Sequence, residues 1–479
     1  MHQVSGFLYM KLSTNQVFLL NSTYTHAGIV HHCRSRIYSS SPSGSTAITN
    51  TDPAPSTQPS SDRPPAKKWE PEPLTDDHIA RNRHLANRLQ GQVILAPLTR
   101  GNNLPFRRLC AYYGADVTMS EMGFARQLIK GDPKEKTRLR RAENEQLYGL
   151  QIATNVIDEG IKAGMMAAEA GADWVDLNCG CPIHEATRRG LGSALLRKPE
   201  KLARLVAGIA KELPIPLTVK IRTGGQGDSS INIGKVVPLL REAGAAAVTI
   251  HGRTALQRYK KPADWGLIQD MARHEKDMLP IIGNGDILTH YEAARRLKDH
   301  GCWAVMVGRG ALIKPWIFQE VKEQKEIELG ARDRVGVYRQ LTAYMKEYFG
   351  DDDRGRRKAF YFLPWHLGFL SRHRPLPEHA YGAMSLQKPL ISTRWESVAS
   401  VELGEQVDDL SPLERLLRCE HEGGHAEMAN VLWEAGSDEE AARQLEQLAG
   451  ERLFAWEEEL KLGDRDREDA RHDRHQAEG

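Results

Sequence analysis

Eight short runs rich in apolar and β-branched residues, separated by segments with helical spacing, limit most strongly what this chain can fold into. They are Val93–Leu98, Val117–Met122, Tyr148–Ala153, Trp174–Cys179, Leu217–Thr223, Ala247–Arg253, Pro280–Asp286 and Ala304–Gly310. Between them, Asp158–Ala170, Glu200–Leu213, Ile233–Ala243 and Tyr291–His300 read as helices, with Gly171, Pro214, Gly244 and Gly301 where helices stop. Eight βα units fit a closed (β/α)8 TIM barrel better than an open doubly wound sheet, which has fewer strands and a glycine-rich first turn. No complete G-x-G-x-x-G occurs.

The barrel is expected over residues 74–325. After Ile317 the strand signal fades, and 330–435 reads as a helical domain containing the aromatic stretch Phe360-Tyr361-Phe362-Leu363-Pro364-Trp365. From 436 to 479 the chain is strongly charged and reads as a tail with one amphipathic helix ending near Leu462. At the other end, 51–73 is a Ser- and Pro-rich linker, because it has too few apolar residues to offset the entropy of folding. Residues 1–50 contain no acidic residue, are rich in Ser and Thr, and carry Lys11, Arg34 and Arg36. That is the composition of a transit peptide, so import into a mitochondrion or chloroplast is expected, with cytoplasm or nucleus as the alternative.

Composition excludes several classes. Six cysteines include only one close pair, Cys179 and Cys181, which writes neither a disulfide framework nor a zinc finger. No apolar run approaches the roughly 20 residues of a membrane-spanning helix. The formal charge of +2 hides basic clusters at Arg138, Arg140 and Arg141, at Arg188 and Arg189, and at Arg356 to Lys358. His421-Glu422-Gly423-Gly424-His425 satisfies the HExxH pattern, but the paired glycines weaken the helix that must present both imidazoles, and no third ligand is evident. No metal is expected.

Side chains alternate along a strand, so in the fourth run Asp176 and Asn178 share one face while Val175, Leu177 and Cys179 share the other. The same phase groups Gln151, Lys220 with Arg222, His251 with Arg253, and Asn284 with Asp286. Five strands thus aim polar groups at one end of the barrel. An unpaired buried polar group costs several kcal/mol, so these residues imply either a bound ligand, the favoured reading, or an internally satisfied polar plug. Gly283, Gly285, Gly308 and Gly310 flank the last two strands, where barrels commonly bind phosphate, and Arg309 suits an anion.

These residues resemble a known family. Asp176-Leu177-Asn178-Cys179-Gly180-Cys181-Pro182 fits the D-x-N-x-G-C-P pattern of tRNA-dihydrouridine synthases. Ala96-Pro97-Leu98, Leu150-Gln151, Lys220-Ile221-Arg222, His251-Gly252-Arg253, Asn284-Gly285-Asp286 and Gly308-Arg309-Gly310 follow in that family's order. The likeness covers about residues 90–320. More loosely, through Trp365, it is similar to the eukaryotic variable-loop branch, without that branch's N-terminal zinc module, since Cys33 is the only cysteine there.

The resemblance implies reduction of the 5,6 double bond of uridines in tRNA, with FMN in the barrel mouth and NADPH as reductant. Pro97, Leu98 and Thr99 would lie under the flavin, and Gln151, Lys220 and His251 against its ring. Asn284, Gly285, Asp286, Gly308 and Arg309 would lie near its phosphate. Cys181 matches the proton donor, while Asn178, Arg222 and Tyr259 match positions that contact the target base. A lysine beside the ring would stabilise negative charge, and a thiol donor must stay protonated. Arg356 to Lys358 and Arg372-His373-Arg374 would hold RNA backbone. The expected protein is a monomer with no membrane contact. The rival readings are a barrel reductase of a small enone or pyrimidine, and a tRNA-binding protein without catalysis.

Overall fold

The computed structural model describes residues 70–225, 230–257, 259, 261–392 and 410–477, of which 463–477 as backbone only. The expected leader and nearly all of the expected linker lie outside them.

All eight expected runs form strands: β1 Val93–Leu95, β2 Val117–Met119, β3 Leu147–Ala153, β4 Trp174–Cys179, β5 Leu217–Arg222, β6 Val248–His251, β7 Ile281–Asn284 and β8 Ala304–Val307. Each pairs in parallel with the next, and β1 closes on β8 through Ile94↔Met306, giving a closed eight-stranded barrel. A two-residue strand, Gly123–Phe124, adds to the top of β3. The observed β1 is shorter than its run because Pro97 lacks an N–H for the ladder, and the chain leaves the sheet there as a loop.

Alternation divides the strands into two packing faces. Val175, Leu177, Cys179, Val219 and Ile221 face outward and are buried under the helices Ile157–Glu169, Pro199–Glu212 and Ile233–Glu242. Ile94, Met119, Trp174, Ala247, Ile282 and Met306 fill the barrel interior. Gly149 is required by this layer: a Cβ there would stand 2.2 Å from the Trp174 ring. The helix Asp76–Leu89, capped by Thr75, packs Leu85 and Leu89 on the interior cluster. With the lower interior filled by apolar side chains, polar residues can face a cavity only at the C-terminal ends of the strands.

Beyond the barrel the helices Ala331–Phe349, Asp353–Ala359, Leu363–Leu370, Glu378–Gln387, Pro412–Arg418, Glu422–Glu434 and Asp438–Ala477 follow. The last departs from the expected charged tail. It does not end near Leu462, and Ala441, Ala442, Leu445, Ala449, Leu453 and Trp456 are buried against the neighbouring helices. These positions recur at helical spacing, and the charged residues between them mask the stripe. No helix among the described residues is long and apolar enough to cross a membrane.

The HExxH histidines serve this packing. His421 caps Glu422–Glu434, its Nδ1 accepting from Gly424 N at 3.2 Å, while His425 Nε2 bonds the Cys419 carbonyl at 2.9 Å. Among the described residues no group of three or more His, Cys, Asp or Glu is arranged to hold a metal. The helix Leu363–Leu370 packs on Arg309–Ile313, and Arg100 donates to the Tyr361 carbonyl at 2.8 Å. These contacts bring the helical domain to the rim of the barrel.

Candidate active site

One cavity of about 870 Å³ opens at the C-terminal ends of the strands, and every residue matched by the resemblance to the flavin, the proton donor or the target base lines it, whereas Gly283 packs against Trp265 and Cys302 and the basic residues at 356–358 and 372–374 lie outside it. Ala96, Pro97, Leu98 and Thr99 enter from the loop after β1. Asn102 fixes that loop, its Nδ2 donating to the carbonyls of Ala96 at 2.9 Å and Met119 at 2.5 Å.

A hydrogen-bonded chain leads from the barrel interior to Cys181. Asp176 is buried and accepts from Thr218 Oγ1 at 2.6 Å and Gln151 Nε2 at 2.8 Å. Gln151 Oε1 accepts from Asn178 Nδ2 at 2.8 Å. Asn178 Oδ1 accepts from the backbone N–H groups of Gly180 at 3.2 Å and Cys181 at 2.9 Å. The Cys181 carbonyl accepts from Ser193 N at 3.0 Å, and a Cβ on Gly192 would stand 2.4 Å from it, so only glycine permits this approach. Asn178 was expected to read the base. Most of its amide instead anchors the cysteine loop, leaving one N–H of Nδ2 for a ligand.

Cys181 faces the cavity, whereas Cys179 is fully buried on the outward face. Burial raises the Cys181 thiol above its usual range, outweighing a backbone hydrogen bond at Ile183 and the cations Arg222 and Lys220. The thiol is therefore protonated at neutral pH. Lys220 Nζ donates to Asn284 Oδ1 at 2.8 Å, and Asn284 Nδ2 donates to the Met306 carbonyl at 2.7 Å. Burial, then Arg222, lowers the Lys220 ammonium from the ordinary lysine range, while burial raises Asp176. Arg222 is held by the carbonyls of Gly180 and Thr254, each at 2.9 Å.

At the β6–β8 side, Asp286 is fully buried. It accepts from Arg253 Nη2 at 2.7 Å, Ala263 N at 2.8 Å and Arg309 Nη2 at 2.7 Å. Its carboxylate thus orients two arginines and is turned from any anionic ligand, although the residue lines the cavity with Gly285, Gly308 and Arg309. Tyr259 is 55% exposed and lies over Arg309, whose Cζ is 4.0 Å from the ring centroid. His251 is pushed well below the usual imidazole range by burial and by Arg222, Lys220, Arg253 and Arg309, so it is neutral.

Other cavity-lining residues had not been singled out. Trp365, Phe369 and Ile391 come from beyond the barrel, and Ile183 and Leu256 are exposed apolar groups in the loops after β4 and β6. For Trp365 the one available signal was the aromatic stretch at 360–365, which does not show which side chains reach the mouth; Phe369 and Ile391 lie outside that stretch.

Residues 94–376 match the family model described as Dihydrouridine synthase (Dus). Among curated relatives, the tRNA-dihydrouridine(47) synthase [NAD(P)(+)]-like protein of Homo sapiens is 40% identical over 309 residues, covering 64% of this chain and 47% of that protein. The tRNA-dihydrouridine(47) synthase [NAD(P)(+)] of Coprinopsis cinerea is 39% identical over 300 residues, covering 60% of this chain and 44% of that protein. The like-named protein of Oryza sativa subsp. japonica is 37% identical over 294 residues, with shares of 60% and 42%. The chain spans about half the length of the curated relatives it matches.

Proposed function

The chain belongs to the dihydrouridine synthase family, and from that premise we propose that it uses FMN and NADPH to reduce the 5,6 double bond of uridines in tRNA. The observation that carries this reading is the placement of Cys181, a neutral thiol, in the same cavity as Lys220, His251 and Arg309. Reduction of a carbon–carbon double bond needs a hydride at one carbon and a proton at the other, and Cys181 Sγ holds a proton in reach of the cavity.

The donor set fits FMN. Apolar atoms of Ala96, Leu98 and Met306 share the cavity with donors at Lys220 and His251, and with Arg309, which has N–H groups beyond the one given to Asp286. Pro97, Leu98, Thr99, Gln151, Lys220 and His251 would hold the ring system, and Asn284, Gly285, Gly308 and Arg309 the phosphate end, with Asp286 orienting Arg309 from behind. When bound there, FMN supplies the hydride. Asn178, Gly192 and Ser193 hold the Cys181 loop, so the thiol presents its proton from a fixed position, and solvent restores that proton afterwards. Arg222 and Tyr259 offer a guanidinium and an exposed ring to an unstacked base. Arg357 and Lys358 are exposed and Arg372 lies over the cavity-lining Phe369, which suits contact with RNA phosphates.

The test is turnover. Protein purified without added cofactor should be yellow, and with NADPH and unmodified tRNA it should form dihydrouridine, whereas Cys181→Ala should lose most of that activity. Reduction of small enones with tRNA left untouched would replace this reading by that of a small-molecule reductase.

A further inference from the structure

His251 and Arg253 leave the end of β6 on one face, and their contact specifies where a proton sits. Arg253 Nη1 lies 3.3 Å from His251 Nε2. A guanidinium has donors but no acceptor, so Arg253 donates and Nε2 accepts. A neutral imidazole that accepts at Nε2 carries its hydrogen on Nδ1. Arg253 has little freedom to do otherwise: its side chain is fully buried, Nη2 is fixed by Asp286 at 2.7 Å, and Nε donates to the Lys261 carbonyl at 2.8 Å. The Nε2 edge of the imidazole faces Gly285, whose added Cβ would lie 3.4 Å from Cδ2 and 3.7 Å from Nε2. Among the described residues Nδ1 has no hydrogen-bond partner, and His251 lines the cavity.

We propose that Arg253, locked by Asp286, is a positioning residue that fixes His251 in its Nδ1–H tautomer, so that His251 meets the cavity's ligand as a hydrogen-bond donor. The ligand group at that point is then an acceptor, a carbonyl or phosphoryl oxygen or an unprotonated ring nitrogen. The tautomer assignment is independent of the proposed function; only the identification of the ligand as FMN rests on it.

Long-range proton–nitrogen correlation spectra of the full chain carrying ring-¹⁵N histidine read the tautomer directly, with His251 assigned by its loss in His251→Gln. At neutral pH the wild-type protein should show Nε2 as the unprotonated nitrogen, and an Nε2–H resonance there overturns the proposal without any variant. Arg253→Met should lose the Nδ1–H preference and Arg253→Lys, which still donates, should retain it. An unchanged tautomer in a folded Arg253→Met protein also overturns it. Adding FMN to flavin-free protein should move Nδ1 more than Nε2, and the reverse order overturns the donor role. A protein with the assigned tautomer that binds no FMN sinks the cofactor reading and leaves the tautomer standing.

Discussion

The side chain of Asn178 holds the backbone of Cys181, accepting its N–H at 2.9 Å while donating to Gln151 at 2.8 Å. An inward-facing strand residue and the loop that follows it are thereby fastened to a single chain running through Gln151 to Asp176 and Thr218. Strand register aligns the chain, since Gln151, Asp176 and Thr218 are direct neighbours across β3, β4 and β5.

Asn178→Ala should therefore act on the position of the thiol more than on binding. Two backbone N–H groups lose their acceptor, which costs about 1–3 kcal/mol each if water cannot replace it. A displacement of the thiol by about 1 Å is enough to lower kcat by roughly 10²-fold. Steady-state kinetics should show the loss in kcat with KM for tRNA little changed, and a fall confined to KM would contradict the anchoring role.

The protonation of Cys181 gives a pH dependence. Burial raises this thiol, so the acid form persists at pH values where a free cysteine has ionised. Alkylation by iodoacetamide should be slow at neutral pH and rise with a midpoint above 9, the ordinary thiol value. The sign for stability follows: a raised folded value favours the protonated protein, so this contribution is complete below the unfolded thiol's midpoint and is lost as pH climbs through the folded one. A midpoint below 8 would mean that the neighbouring cations dominate over burial.

Much of this site was legible from period-two alternation alone. Trp174, Asp176 and Asn178 had to share a face, and neighbouring strands supplied Gln151, Lys220 and His251 in the same phase. Asp176 escaped notice as an organising residue because strand phase shows which way a carboxylate faces but not that Gln151 and Thr218 will bond it. Trp365, Phe369 and Ile391 escaped for another reason: their approach to the cavity depends on how the helical domain docks, and helical spacing carries no information about that. The stripe from Ala441 to Trp456 was diluted by charged neighbours, so an amphipathic helix was legible there but not its continuation past Leu462 or its burial against the neighbouring helices.

Trp456 makes that last point measurable. It is 2% exposed and stacks on His421, with centroids 5.7 Å apart. Trp456→Ala should cost about 3–5 kcal/mol, as for other large-to-small core changes. Urea denaturation followed by circular dichroism should show the loss, whereas a change under about 1 kcal/mol would fit a dispensable tail.

Asp286 is a buried carboxylate whose loss should matter for stability. It neutralises Arg253, which is fully buried, and Arg309, which is largely so. Removing one partner of a buried ion pair leaves an uncompensated charge and typically costs about 3–5 kcal/mol. Asp286→Ala should approach that range in urea denaturation. Asp286→Ala combined with Arg253→Met should recover part of it, because the second change removes a stranded cation; a purely additive double mutant would mean the two residues do not act together.

Lys220 separates folding from chemistry. Its ammonium is buried, donates to Asn284 at 2.8 Å and is lowered from the usual lysine range chiefly by burial. Burial of this kind disfavours the charged form, so Lys220→Met relieves a desolvation cost while removing one hydrogen bond worth roughly 1 kcal/mol, and stability should change little. The function should not be so tolerant. A cation near a ring that gains negative charge on two-electron reduction makes that reduction more favourable, so, under the function proposed above, its removal should drive the potential of bound FMN more negative and slow reduction by NADPH. Spectroelectrochemistry and stopped-flow absorbance on the yellow protein would measure both. An unaltered potential in Lys220→Met, with flavin still bound, would show that Lys220 does not act on the ring and belongs only to the Asn284 hydrogen bond.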